Sequence, residues 1–187
     1  MADELNDPKE LERIEREKYQ NAWSRDSYRE RSPAMRVVDE AIRWLDPAPG
    51  ASFADFGCGT GRASAYLARH AYSVTAVDIA ANSCMEFDGP FIEACLWDLP
   101  DMGTFDHAIC CDVLEHIPPK MMWAVLKGIK DRTRVSAFFQ IARFEDAEGL
   151  HLCLRDPDWW ATAFRRHFAR TEWLIQEKYL IARAFPC

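Results

Sequence analysis

The chain has 187 residues, of which 49% are hydrophobic and 28% are charged, and its net charge is −7. This is the composition of an ordinary globular protein rather than a disordered one, and the length suits one domain. The negative charge disfavours a large surface for duplex nucleic acid, which needs many Lys and Arg contacts to phosphates.

The sequence carries no signal for secretion or for membrane insertion. No apolar run approaches the ~20 residues of a membrane helix. The first seven residues, Met-Ala-Asp-Glu-Leu-Asn-Asp, are too acidic for a signal peptide. The seven cysteines form no C-x-x-C pair, and most lie in apolar, strand-like surroundings. We therefore expect a cytoplasmic protein with reduced core thiols, in preference to disulfides or metal ligands.

Residues 1–31 predict a helical arm. Asp7 is a candidate N-cap, Pro8 suits the first helical position and Glu10 completes a capping box. The helix has a thin apolar stripe, so we expect it to lie on the body of the protein. Three aromatic residues stand in the second half of the arm: Tyr19, Trp23 and Tyr28. They either clamp the arm to the domain or cover a ligand.

Residues 32–187 predict an alternation of helices and strands. A second helix begins with Ser32 as its cap and Pro33, and it ends at the Asp-Pro-Ala-Pro-Gly of residues 46–50. A later helix begins at Asp156 and Pro157. Apolar runs predict strands at 52–56, 73–78, 91–97, 105–111, 134–142, 171–176 and 179–185.

The central motif is Asp-Phe-Gly-Cys-Gly-Thr-Gly at residues 55–61. Gly57, Gly59 and Gly61 can adopt positive φ angles and let a ligand approach the main chain. A strand, a glycine turn and a helix together form a nucleotide crevice at the carboxyl end of a parallel strand. The dinucleotide fingerprint needs a glycine at position 62, where arginine stands. The motif instead resembles motif I of the class I (Rossmann-like) S-adenosylmethionine-dependent methyltransferases.

The resemblance extends from Ser52 to Ala142 and implies a fold and a cofactor. The implied fold is a three-layer, doubly wound α/β domain with a mostly parallel seven-stranded sheet whose last strand is antiparallel. The implied cofactor is S-adenosyl-L-methionine. We accordingly expect a single methyltransferase domain, with residues 1–31 as an arm or lid and residues 32–187 as the Rossmann-like core.

Two acidic residues are candidates for cofactor recognition. Asp78 ends a strand about 20 residues after Gly57, where doubly wound folds place the carboxylate that binds the ribose hydroxyls. The alternative is a solvated acid at a strand end. The resemblance implies that Asp98 accepts from the adenine amino group while Trp97 or Leu96 covers the ring; a turn-forming aspartate is the alternative. The implied cofactor-binding residues are Asp55, Gly57, Cys58, Gly59, Gly61, Asp78, Ile79, Trp97, Asp98 and Asp112, with Tyr19 and Trp23 from the arm.

The segment after the fourth strand, Asp112-Val-Leu-Glu-His116, resembles the family's motif IV region. His116 is our first candidate for a catalytic base, and His151 is the second. His151 and Trp159 are also candidate walls of an acceptor pocket, with simple packing as the alternative. Asp112, Glu115 and His116 would share one face of a helical turn and could bind a divalent cation with His151. We expect no metal, because the first position is Asp and relatives without metal also carry Glu-His here.

Two other functions remain open. A pyridine-nucleotide oxidoreductase is disfavoured by Arg62 and by the lack of a recognisable hydride-transfer site. The second alternative is a non-catalytic subunit that binds S-adenosylmethionine. Because the basic cluster at residues 165–170 lies on the outer face of a helix, we expect a small-molecule acceptor, with an RNA or protein terminus as the alternative. We expect neither duplex nucleic acid nor a membrane as a partner.

Overall fold

The computed structural model describes residues 7–30 and 37–186. The described α-helices are α1 (Pro8–Trp23), α2 (Asp26–Arg29), α3 (Val38–Leu45), α4 (Arg62–Arg69), α5 (Met122–Asp131) and α6 (Pro157–Arg165). The strands are β1 (Ser52–Phe56), β2 (Ser73–Asp78), β3 (Phe91–Glu93), β4 (Phe105–Cys111), β5 (Thr133–Ala142), β6 (Arg170–Ile175) and β7 (Tyr179–Phe185). Short 3-10 helices at Leu114–His116 and Pro119–Met121 connect β4 to α5.

The seven strands form one sheet in the order β3-β2-β1-β4-β5-β7-β6. Strands β1 to β5 pair in parallel, whereas β7 is antiparallel to both β5 and β6. Only the last strand is therefore reversed, which confirms the predicted fold class. The order changes direction at β1, which lies between β2 and β4. This place, where the strand order reverses, is the switch point of the sheet. In open α/β sheets, ligands bind at the switch point, in the crevice at the carboxyl ends of the strands.

Apolar residues on both faces of the sheet make the protein three-layered. On β5, Phe138 packs in a cluster with Leu45 of α3 and Leu67 of α4. Its neighbour Phe139 points to the opposite face, in a cluster with Leu126 of α5 and with α6. Successive side chains of a strand alternate between faces, so a central strand covered on both sides reads as a continuous apolar run. None of the described helices is long and apolar enough to cross a membrane.

The predicted extent of β3 and the predicted capping box differ from the structure. Strand β3 ends at Glu93 rather than continuing to Trp97, because the chain turns there and the Asp98 N–H donates to the Cys95 carbonyl at 3.0 Å. The predicted capping box is incomplete, because Asp7 accepts from the Lys9 N–H whereas Glu10 instead pairs with an arginine of the same helix. The predicted helix start at residues 32–33 lies outside the described residues.

Candidate functional site

The glycine turn after β1 is attached to β2. The N–H groups of Gly57 and Cys58 both donate to the Val77 carbonyl, at 2.7 and 3.0 Å. Gly57, Gly59 and Gly61 have φ angles of 74°, 53° and 80°, which favour glycine. A Cβ atom on Gly57 would lie only 2.4 Å from a methyl carbon of Val113. The turn therefore requires glycine for backbone conformation and, at Gly57, for close packing.

Asp78 links the end of β2 to this turn. One carboxylate oxygen accepts from the Gly59 N–H and the other from the Ala80 N–H, both at 3.0 Å. The residue is only 6% exposed, and burial raises the pKa of its carboxyl to about 6. At neutral pH it therefore presents a buried negative charge at the switch point of the sheet, with each oxygen retaining capacity to accept a further donor.

A cavity of about 90 Å³ lies between the arm and the carboxyl ends of β2 and β4, and we call it the arm cavity. It is lined by Glu15, Tyr19, Trp23, Tyr28, Gly57, Asp78, Ile79, Cys95, Leu96, Trp97, Asp112, Val113, His116 and Ile117. The hydroxyl of Tyr19 and the indole N–H of Trp97 are buried and have no hydrogen-bond partner among the described residues. A buried donor without a partner costs ~1–3 kcal/mol, so these two groups mark a place for a polar ligand.

The arm is attached to the core on both sides of the arm cavity. Arg16 donates to the Ile79 carbonyl at 2.8 Å. Lys9 binds the Asp98 carboxylate at 2.5 Å, and Arg25 binds Glu148 at 2.6 Å. These contacts place the aromatic residues of the arm over the switch point. The Lys9–Asp98 and Arg25–Glu148 contacts are partly exposed ion pairs, which contribute little stability individually and can break when a ligand enters.

A second cavity, of about 450 Å³, adjoins the first and is bounded by the chain after β5, so we call it the loop cavity. Its lining residues are Trp23, Tyr28, Gly57, Cys58, Gly59, Cys111, Asp112, His116, Ala142, Phe144, Glu145, Asp146, Ala147, Glu148, Leu150, His151 and Tyr179. Asp112 has a φ angle of 55°, an uncommon conformation for a residue other than glycine. Gln140 holds Asp112 in this conformation. The Gln140 backbone carbonyl accepts from the Asp112 N–H at 2.9 Å, and the Gln140 side-chain amide donates to the Asp112 carboxylate at 2.6 Å.

His116 and His151 lie edge to face, with ring centroids 4.7 Å apart. The Nδ1 atom of His116 is 3.2 Å from the Leu150 carbonyl, and that of His151 is 2.5 Å from the Phe144 carbonyl. Because a carbonyl only accepts, each Nδ1 carries the proton and each Nε2 carries a lone pair. Desolvation lowers the pKa of His116 to about 4, with the neighbouring His151 as a second cause. Both rings are therefore held in one tautomer, and His116 is neutral at pH 7.

Glu115 lies in the same 3-10 turn and is completely buried. One carboxyl oxygen accepts from the Ala142 N–H at 3.0 Å. The other oxygen has no partner among the described residues. Burial, and secondarily the charge of Asp112, hold the pKa of this carboxyl well above its usual range. The Glu115 backbone carbonyl accepts from Leu152 and Cys153, which brings the segment around His151 against the end of β4.

Eleven of the predicted site residues border at least one of the two cavities: Tyr19, Trp23, Gly57, Cys58, Gly59, Asp78, Ile79, Trp97, Asp112, His116 and His151. Asp55 does not; it accepts from the Ser64 hydroxyl at 2.6 Å beneath the glycine turn, and burial raises its pKa to about 7. Gly61 caps α4 beside Cys84 and Phe87 rather than bordering either cavity.

Two predicted contacts are placed elsewhere. Asp98 lies outside the arm cavity, with its carboxylate on Lys9. Trp159 is not at the wall of the loop cavity; it packs edge to face against Trp160 beside the apolar core. Sequence reasoning missed Gln140, which orients Asp112, and the acidic segment of residues 145–148. No local pattern marks a glutamine inside a buried strand, although a polar residue in an apolar run is itself unusual.

A family model described as a methyltransferase domain matches residues 54–139. This part of the chain is similar to that methyltransferase family. The match covers the glycine turn, Asp78, Asp112 and the Glu115–His116 pair, which are the parts of the site contributed by β1 to β5. Comparison with curated proteins gives no match to this sequence.

Solved structures share the fold over nearly the whole chain. A 1,6-didemethyltoxoflavin-N1-methyltransferase from Burkholderia thailandensis is 21% identical, with a TM-score of 0.74 over 97% of this chain and 91% of that one. A magnesium protoporphyrin IX methyltransferase from Synechocystis PCC 6803 is 20% identical, with a TM-score of 0.72 over 94% and 99%. Both were crystallised with S-adenosylhomocysteine. At these identities the similarity concerns the fold.

Proposed function

We propose that the protein transfers a methyl group from S-adenosylmethionine to a small-molecule acceptor. The observation that carries this proposal is the junction of the arm cavity and the loop cavity at the carboxyl edge of the sheet. The two cavities share five lining residues: Trp23, Tyr28, Gly57, Asp112 and His116. Two adjoining spaces at one switch point suit a reaction in which a donor and an acceptor meet.

The residues of the arm cavity fit the adenosine part of the cofactor. Asp78 offers a charged acceptor for the ribose hydroxyls. Ile79, Leu96 and Trp97 supply apolar surface for the adenine ring, and the buried donors of Tyr19 and Trp97 have no other partner among the described residues. Asp98 would reach the adenine amino group only after its ion pair with Lys9 opens.

The glycine turn and Asp112 would hold the methionyl end, and the bound cofactor would supply an electrophilic methyl group on a sulfonium. The residues of the protein then have three tasks, which are to bind, to align the acceptor and to exclude water. We propose that the arm, of which the structure describes residues 7–30, serves as a lid for the last task, because Trp23 and Tyr28 lie at the junction. The Nε2 lone pair of His116 is the candidate proton acceptor.

The size and charge of the loop cavity support a small-molecule acceptor. Its volume of about 450 Å³ lies in the range of small-ligand pockets. Glu145, Asp146 and Glu148 border it, and negative charge there would repel the phosphates of an RNA terminus. The named substrates of the toxoflavin and protoporphyrin enzymes are also small molecules.

Transfer of label from S-adenosylmethionine tests the proposal. The protein would be incubated with a metabolite extract, with bulk tRNA and with bulk protein, and label would be expected in the metabolite fraction. Asp78→Asn serves as the binding-deficient control, and its label should fall in proportion to its affinity. Label confined to a macromolecular fraction would contradict the small-molecule assignment. Normal binding of S-adenosylhomocysteine without transfer to any fraction would favour the non-catalytic subunit.

A further inference from the structure

Three side chains beside the loop cavity form a cluster of metal-ligand types, and the proposed methyl transfer uses only one of them, His116. Glu115 and His116 come from the 3-10 turn after β4, and His151 comes from the segment that follows β5. One ligand-type atom of each lies within 4.8 Å of the corresponding atoms of the other two. Residues 35 positions apart are thus brought together by the hydrogen bonds from Leu152 and Cys153 to the Glu115 carbonyl.

The backbone engages one polar atom of each of the three side chains. The Nδ1–H groups of His116 and His151 are engaged by the carbonyls of Leu150 and Phe144. This leaves both Nε2 lone pairs available, in the arrangement by which proteins fix metal-binding imidazoles. One oxygen of Glu115 is engaged by the Ala142 N–H, which fixes the plane of its carboxyl group.

The remaining oxygen of Glu115 is the observation that indicates a ligand. It is buried and has no hydrogen-bond partner among the described residues, although the side chain is completely enclosed. A carboxyl oxygen in that position is destabilising unless a cation or a donor meets it. Asp146 adds a second carboxylate, with an oxygen 3.9 Å from the Nε2 of His151.

We propose that Glu115, His116 and His151 bind a divalent transition-metal cation, with Asp146 within reach as a further ligand. Two imidazole nitrogens with a carboxylate oxygen suit Zn²⁺, Mn²⁺, Fe²⁺ or Co²⁺, whereas Mg²⁺ and Ca²⁺ prefer sites made entirely of oxygen. Asp112 is outside the group of ligand-type atoms that lie within 4.8 Å of one another, and its carboxylate accepts from the Gln140 amide. The ligand set therefore keeps Glu115, His116 and His151 of the group that the sequence suggested, without Asp112.

The position of the site indicates what a bound cation would contact. His116 and His151 both border the loop cavity, so an open coordination position would face the acceptor. If the protein is a methyltransferase as proposed, the cation would hold an oxygen or nitrogen atom of that acceptor. This role rests on the proposed function, whereas the binding of the cation does not.

Titration of the protein with Co²⁺, followed by visible absorption in a non-chelating buffer with a phosphine reductant, tests the proposal. We expect saturable binding of one equivalent, and competition by Zn²⁺. Glu115→Gln keeps the acceptor for the Ala142 N–H, and His151→Asn removes one imidazole. Each should weaken binding at least roughly ten- to a hundredfold, which is the loss that removal of a residue behind a metal ligand already causes. His70→Asn is the matched control, because His70 also has its Nδ1 on a backbone carbonyl, at 2.9 Å, yet is exposed at the C-terminal end of α4. Its affinity should be unchanged.

The outcomes separate the metal site from the alternatives. Failure to bind Co²⁺ and Zn²⁺, or unchanged affinity in a folded Glu115→Gln protein, would overturn the proposal. Strong thiolate-to-cobalt absorption in the near ultraviolet would assign the binding to cysteines instead and would also overturn it. If His151→Asn fails to fold, Glu115→Gln decides alone. Calorimetry with S-adenosylhomocysteine on the same samples reports the proposed function independently, since loss of cofactor binding would leave the Co²⁺ result intact.

Discussion

Replacing Asp78 with asparagine should weaken cofactor binding while preserving the fold. The carboxylate accepts from Gly59 and Ala80, both at 3.0 Å, so asparagine retains one of these contacts and sets its NH₂ group against the other donor. The ribose hydroxyls would also lose a charged acceptor. The loss of one charge-assisted hydrogen bond costs ~1.5–3 kcal/mol. We therefore expect the dissociation constant of S-adenosylhomocysteine to rise roughly ten- to a hundredfold.

Isothermal titration calorimetry at pH 7.5 measures this effect, because Asp78, with a pKa of about 6, is then ionised. Asp106→Asn is the matched control. Asp106 also accepts from a backbone N–H, that of Ser52 at 2.9 Å, and from Arg134, but it lies near the amino end of β4, away from the cavities. The Asp106→Asn protein should be less stable but should bind S-adenosylhomocysteine with unchanged affinity. A dissociation constant within about twofold of the wild-type value in folded Asp78→Asn would refute the role of Asp78.

Three further predictions concern the same edge of the sheet. Gly57→Ala should lower the melting temperature and weaken cofactor binding. The total cost in free energy is ~2–4 kcal/mol, because strain at positive φ adds to the clash with Val113. Gly103→Ala, at φ 72° and with open space around it, measures the cost of the φ angle alone. Affinity for S-adenosylhomocysteine should fall as pH drops through about 6, because protonation neutralises Asp78, whereas Asp78→Asn should show no such step. The stability of the free protein changes with pH in the opposite direction. Because the pKa of Asp78 is raised in the folded state, the stabilisation from this carboxyl is present below pH 3.8 and is lost as pH rises through about 6. Tyr19→Phe should leave the melting temperature of the free protein unchanged or higher, since its hydroxyl has no partner among the described residues, yet should weaken cofactor binding several-fold.

The sheet was predictable from the sequence because its signals are local. Buried parallel strands read as apolar runs, and the runs at 73–78, 105–111 and 179–185 coincide with β2, β4 and β7. The strand predicted at 91–97 was too long, because apolar residues also line the arm cavity. Leu96 and Trp97 are apolar for that reason and not because they belong to β3. Composition alone does not distinguish a cavity wall from a strand.

The candidate site was predictable wherever residues follow strand ends, and less so where distant segments meet. Asp78 is the last residue of β2, and Asp112 is the first residue after β4. Parallel strands bring their carboxyl ends to the same side of a sheet, so these two residues lie near each other. The ion pair between Asp98 and Lys9 spans 89 positions, and nothing near either residue indicates it. The contact of Gln140 with Asp112 likewise depends on the register of β4 against β5. Pairings of this kind are set by tertiary packing and not by spacing.

The environment of His116 decides which acceptors this site can serve. With a pKa of about 4, His116 is a weak base at neutral pH, and general base catalysis is most efficient when the pKa is near the working pH. A neutral amine can attack a methyl sulfonium first and lose its proton afterwards, so a weak base is sufficient. A hydroxyl acceptor needs its proton removed as it reacts. A divalent cation on Glu115, His116 and His151 would lower the pKa of such a hydroxyl, and His116 would then act through its lone pair as a ligand rather than as a base. Metal-independent turnover therefore favours a nitrogen acceptor, whereas turnover that requires the cation favours an oxygen acceptor.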